Sequence, residues 1–72
     1  MEIKGIVKEI DISGGFIIGS DRNEYVFNHL DILGSIPLKK GDIVLFKANQ
    51  TYDVKKTIHY ATLITKEKEK NI

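Results

Sequence analysis

Gly14-Gly15-Phe16-Ile17-Ile18 and Tyr25-Val26-Phe27-Asn28-His29-Leu30 decide the fold of this chain. Each stretch alternates as a half-buried strand does, with successive side chains on opposite faces. Between them lies Gly19-Ser20-Asp21-Arg22-Asn23-Glu24, rich in turn formers and empty of apolar residues. The two stretches therefore read as adjacent antiparallel strands. Phe16, Phe27 and His29 sit at alternate positions, so the expectation is that all three share one face. Aromatic side chains grouped on an open sheet face form a platform on which unpaired bases can stack.

Working outward, residues Ile3 to Ile12 read as a long first strand with Ile3, Ile6, Val7, Ile10 and Ile12 as its apolar members. The apolar phase is irregular around Ile6-Val7, which predicts a bulge or a bend. Ser13-Gly14-Gly15 is a turn signal, and the second strand runs to about Ser20. The third covers Tyr25 to Leu30. Asp31 to Pro37 breaks the alternation and reads as a loop with one helical turn capped near Asp31. Lys39-Lys40-Gly41-Asp42 is a tight turn before a fourth strand, Ile43 to Lys47. Ala48 to Lys56 is polar and reads as a loop. Thr57 to Thr65 is dense in β-branched and aromatic residues and makes the fifth strand.

The pattern predicts an all-β chain of five short strands closed into a small barrel. Residues 1–65 form one domain, and 66–72 form a charged, frayed tail. With 72 residues and no cysteine, neither a disulfide framework nor a thiolate metal site is available. The core, or an oligomer interface, must hold the fold together. No run reaches the length of a membrane span, and Met1-Glu2-Ile3-Lys4 lacks a signal-peptide pattern, so the expectation is a cytoplasmic protein without membrane partners. The formal net charge of +1 does not announce a polyanion partner, although it leaves room for local basic patches.

Catalytic chemistry finds no constellation. His29 and His59 are the only histidines, and no third metal ligand stands at a recognisable spacing. Gly14 to Gly19 has the glycine separation of a phosphate loop, but Ser20-Asp21 follows where Lys-Ser/Thr is required. The chain reads as a binding module that needs no cofactor, not as an enzyme.

From Gly5 to Ile64 the sequence resembles a bacterial cold-shock domain, which implies a five-stranded, antiparallel Greek-key barrel of the oligonucleotide-binding type. Gly5-Ile6-Val7-Lys8 looks like that family's opening strand. Gly15-Phe16-Ile17 looks like its first ribonucleoprotein motif, Val26-Phe27-Asn28-His29-Leu30 like its second. Leu38-Lys39-Lys40-Gly41-Asp42-Ile43-Val44-Leu45-Phe46 matches its Leu-x-x-Gly-x-x-Val-x-Phe stretch, and Ala61-Thr62-Leu63 falls where the family has Ala-x-Val. The resemblance implies binding of single-stranded RNA or DNA. The site it implies comprises Phe16, Ile18, Phe27 and His29 on the sheet, Lys8 and Lys56 flanking the backbone path, and Tyr60 on the neighbouring strand.

The chain departs from the family in ways that matter physically. Glu9 and Ile10 stand where a Trp and a Phe are usual, Leu30 replaces a final Phe, and the first motif keeps one aromatic of two. Losing about three stacking platforms, each worth roughly 1 kcal/mol at the low end, predicts affinity weaker on the order of a hundredfold. A ligand path displaced toward Tyr25, His59 and Tyr60 is the alternative within this reading. Ile10, Ile18 and Leu30 also convert part of a stacking face into an aliphatic patch. A competing expectation is therefore a protein-binding barrel, taking a second copy or another protein.

Overall fold

The computed structural model describes residues 2–52 and 56–67. Its strands are β1 (Glu2–Ile10), β2 (Gly14–Gly19), β3 (Glu24–Asn28), β4 (Ile43–Tyr52) and β5 (Thr57–Lys66). They close into a barrel in the order β1-β2-β3-β5-β4, with β4 returning beside β1. All neighbours run antiparallel except β3 and β5, which pair in parallel through Val26 and Tyr60. This is the expected all-β barrel, with a strand order consistent with the oligonucleotide-binding type. No helix among the described residues is long and apolar enough to cross a membrane.

Alternation along β3 and β4 builds much of the interior, while on β5 the two inward residues lie three apart. Tyr25 and Phe27 on β3, Val44 and Phe46 on β4, Ala61 and Ile64 on β5, Val7 on β1 and Ile17 on β2 are all buried. Ile3, Ile10, Ile32, Leu38 and Ala48 pack against this set. Tyr25 meets Phe46 edge-on with ring centroids 4.9 Å apart, a favoured aromatic arrangement.

The irregular phase of the first strand has a definite cause. Val7 pairs with Ile17, but the next pair is Glu9 with Phe16, so Lys8 is the extra residue of a bulge. Val7 and Ile10 can then both turn inward although they lie three residues apart. Ile6, on the other phase, stays half-exposed.

Four boundaries differ from the sequence expectation. β1 ends at Ile10, and Ile12 stands exposed in the turn that the Ser13 and Gly14 N–H groups close on Asp11 Oδ1. β3 ends at Asn28, and His29–Asp31 winds a 3-10 turn instead of extending the strand. The Leu30 N–H donates to Asn28 Oδ1 at 3.0 Å and the Asn28 N–H donates to Asp31 Oδ2 at 2.8 Å. This reciprocal cap satisfies donors that a continuing strand would have left without a partner. Within the segment expected to be a loop with one helical turn, Leu33–Ser35 makes a second 3-10 turn; Ile32 opens it without a side-chain cap, and Asp31 instead closes the turn before it. β4 continues through Ala48 to Tyr52, where polarity suggested a loop. Pairing with β5, from Ala48 with Ala61 to Tyr52 with Thr57, supplies the backbone bonds whatever the side chains. Residues 53–55 of that expected loop lie outside the described residues. Finally, Lys66 pairs with Val44, and the Glu67 N–H donates to the Ile43 carbonyl at 2.9 Å. The sheet therefore claims the first two residues of the expected tail, while 68–72, like Met1, lie outside the described residues.

The β2–β3 turn holds Arg22 at φ 71°, in the left-handed region. The Arg22 N–H donates to the Gly19 carbonyl and the Gly19 N–H to that of Asn23, both at 2.9 Å. Such three-residue hairpin loops favour glycine at the left-handed position. Arg22→Gly is expected to raise stability by about 1 kcal/mol, and Arg22→Val to lower it. Urea midpoints of the two variants check this, and a Gly variant no more stable than the parent would refute it.

Candidate nucleic-acid interface

The barrel wall resolves into cross-strand rows, because residues directly opposite in a ladder share a face. One row runs Glu9, Phe16, Val26, Tyr60, Asn49 across β1, β2, β3, β5 and β4. Phe16 and Tyr60 are 38% and 37% exposed, so the row lies on the outer surface with Val26 between two rings. The adjacent outer row runs Ile43, Ile6, Ile18, Glu24.

Phe27 does not join them. In the β2–β3 ladder even-numbered residues pair with even-numbered ones, Phe16 with Val26 and Gly14 with Asn28, and these point outward. Phe27 pairs with Gly15, points inward and is only 4% exposed. Two residues in phase within their own strands share a face only when the register matches them, and here it is offset by one. His29 is also absent from the row. It is exposed, but β3 has ended at Asn28, and His29 lies in the 3-10 turn and lines neither cleft. The expected trio of Phe16, Phe27 and His29 is thus corrected to the pair Phe16 and Tyr60.

The displaced path is corrected as well. Tyr25 is buried, and His59 sits edge-on to it with centroids 5.3 Å apart. Of the three residues on that path, Tyr60 alone stands on the outer surface row. Ile10 packs against the core, so it leaves the aliphatic patch, while Ile18 remains in it and Leu30 is 81% exposed.

A cleft of about 580 Å³ opens on this surface. Asp11 and Ser13 of the β1–β2 turn, Phe16, Val26, Asn28, Asp31 and Tyr60 line it. A second cleft, of about 270 Å³, lies against Phe16 and includes Glu9 and Lys40.

Charge around the clefts is mixed. The Asp11 carboxyl lies below the usual range because the Ser13 hydroxyl donates to it at 2.7 Å, with the Ser13 and Gly14 N–H groups at 2.8 and 3.2 Å. Lys8 reaches Glu24 at 3.7 Å, a half-exposed pair that a phosphate can compete for. Lys40 adds a cation beside Phe16. Lys56 is exposed where the chain enters β5 and lines neither cleft.

The turn between β2 and β3 carries its own titration. Burial raises the Asp21 carboxyl, but hydrogen bonds from the Tyr25 hydroxyl at 2.5 Å and from the Asn23 backbone and side chain outweigh it and hold the group below 3.8. Burial, reinforced by the same bond to Asp21, pushes the Tyr25 phenol above 10.0. A depressed carboxyl stabilises the fold above its unfolded value and loses that contribution as pH falls through the folded one. A raised phenol stabilises below its unfolded value and loses that contribution as pH rises through the folded one. Tyr25→Phe is therefore expected to flatten the fall of stability at both the acid and the alkaline end. Urea midpoints taken from pH 2 to 11 test this, and unchanged pH limbs would contradict it.

The sequence reading missed Val26, Asn28, Asp11, Asp31, Ser13 and Lys40. Two local signatures point to some of them. Asp11-x-Ser13 is an Asx-type turn, and Asn28-x-x-Asp31 is a reciprocal cap. No protein-family model matches the chain, and no curated protein matches it in sequence.

Proposed function

We propose that the barrel binds single-stranded RNA or DNA across β1, β2, β3 and β5, in the manner of a cold-shock-like domain. The observation that carries this reading is the pair of exposed rings, Phe16 and Tyr60, flanking Val26 in one row beside a cleft. Bases would stack on the two rings, while Lys40 and Lys8 would neutralise phosphates. With two platforms and few cations, the binding is weak, and stacking alone selects little among bases. Its role would be to hold nucleic acid unpaired, as an RNA chaperone or regulator in the cytoplasm.

The test is an amide-shift titration with short single-stranded oligonucleotides at low salt. Shifts centred on Phe16, Val26 and Tyr60 that fade as salt rises support the reading; none at millimolar DNA or RNA would sink it. Phe16→Ala and Tyr60→Ala are each expected to weaken binding about tenfold, the value of one stacked base. Lys40→Ala should instead reduce the salt slope.

A second reading has its own observation. Ile43, Ile6 and Ile18, at 43%, 52% and 37% exposure, form an aliphatic ladder across three strands. An exposed patch of this kind suits a protein partner or a second copy. Mass that rises with concentration, together with silence toward oligonucleotides, would favour it.

A further inference from the structure

We propose that the cleft beside Phe16 reads one guanine base, with the Asn28 amide and the Asp31 carboxylate as its hydrogen-bonding edge. This deepens the nucleic-acid reading and rests on it. The cleft, at about 580 Å³, falls within the size of small-ligand sites, roughly 300–1,000 Å³. Phe16 and Tyr60 line it with Val26 between them in the cross-strand row, an apolar floor on which a flat ring can lie. No Lys or Arg lines it, whereas Asp11 and Asp31 do. A phosphate is repelled there, so a base and not the backbone occupies this part of the path.

The polar groups present a defined pattern. The Leu30 N–H donates to Asn28 Oδ1 at 3.0 Å, which leaves the Asn28 amide nitrogen as a donor. The Asn28 N–H donates to Asp31 Oδ2 at 2.8 Å, and Asp31 Oδ1 receives no donor among the described residues. All three hydrogen bonds to Asp11 converge on Oδ1, leaving its Oδ2 equally unused. The reciprocal cap fixes Asn28 and Asp31 in place, so the pattern is formed before any ligand arrives.

Among the bases, guanine alone offers an acceptor, O6, beside two donors, N1–H and the 2-amino group. The Asp31 carboxylate takes both donors as a bidentate pair, one on the unused Oδ1 and one on the second lone pair of Oδ2, and the Asn28 amide nitrogen serves O6. Thymine and uracil present two carbonyls around a single N–H, so a carboxylate meets repulsion on either side. The bonds that hold Asp11 below the usual carboxyl range keep a second charged acceptor at the rim.

The experiment measures fluorescence anisotropy of labelled seven-nucleotide thymidine strands at low salt, with dT, dG or deoxyinosine at the centre. Inosine stacks much as guanine does but lacks the 2-amino group. The dG strand is expected to bind about tenfold tighter than the all-thymidine strand, as charge-assisted hydrogen bonds of this kind allow, with inosine between. Asp31→Asn should abolish the difference between dG and dT; if that variant does not fold, inosine against dG on the parent protein decides. Equal binding of dG and dT, or of dG and inosine, overturns the guanine reading while leaving single-strand binding in place. No binding of any strand overturns both.

Discussion

Truncating Phe27 to alanine is expected to cost about 3–5 kcal/mol of stability, the usual toll for a buried phenylalanine. Phe27 belongs to the set that includes Ile17, Tyr25 and Phe46, and its ring is almost wholly withdrawn from solvent. A domain of this size rarely holds more than about 3–5 kcal/mol in total, so the variant should be largely unfolded at room temperature. Phe16→Ala provides the contrast, because that ring is partly exposed and its loss should cost about 1 kcal/mol or less. Amide-spectrum dispersion and urea midpoints separate the two. A Phe27→Ala variant that keeps its midpoint but loses oligonucleotide binding would return Phe27 to the surface and undo the register.

Gly14→Ala is the second large effect, expected at about 3 kcal/mol or more. Gly14 adopts φ 152°, a conformation that L side chains rarely adopt, and an added Cβ would overlap the Phe27 carbonyl oxygen. The surroundings cannot relax cheaply. The Gly14 carbonyl accepts from the Asp11 N–H at 2.8 Å, and its own N–H reaches Asp11 Oδ1. The obstruction is backbone, so no rotamer change relieves it. Urea denaturation checks this, and an unchanged midpoint would refute it. The same geometry bears on function. No side chain can be introduced into the cleft lining at position 14, whereas Val26 and Ile18 stand on the outer rows and can be varied.

Much of the barrel was legible because strand identity depends on local alternation and turn chemistry. The bulge near Ile6-Val7 and the turn at Lys39-Lys40-Gly41-Asp42 were both readable on those grounds. The face of each aromatic was not, because it depends on how two strands slide past one another. A one-residue difference in register moves Phe27 from the ligand side to the core and leaves Phe16 where it was expected. The polar half of β4 was hidden for a related reason. Ala48 to Tyr52 is strand only because β5 lies beside it, and nothing in its own composition announces that partner. The acidic rim of the cleft was hidden because Asp11 and Asp31 lie far apart in sequence and the fold alone brings them to one opening.

Barrel closure depends on a narrow seam. β3 and β5 share a single registered pair, Val26 with Tyr60, and beyond it an isolated parallel bridge joins Ile32 to Ile64. Tyr60 also lines the cleft. The β1–β2–β3 meander, whose contacts are local in the chain, carries Phe16 and Val26 but not Tyr60. Tyr60 reaches the cleft only through the pairing of β5 across the long connection from β3. The cleft is therefore a product of barrel closure, and loosening this one seam would open it without disturbing the meander.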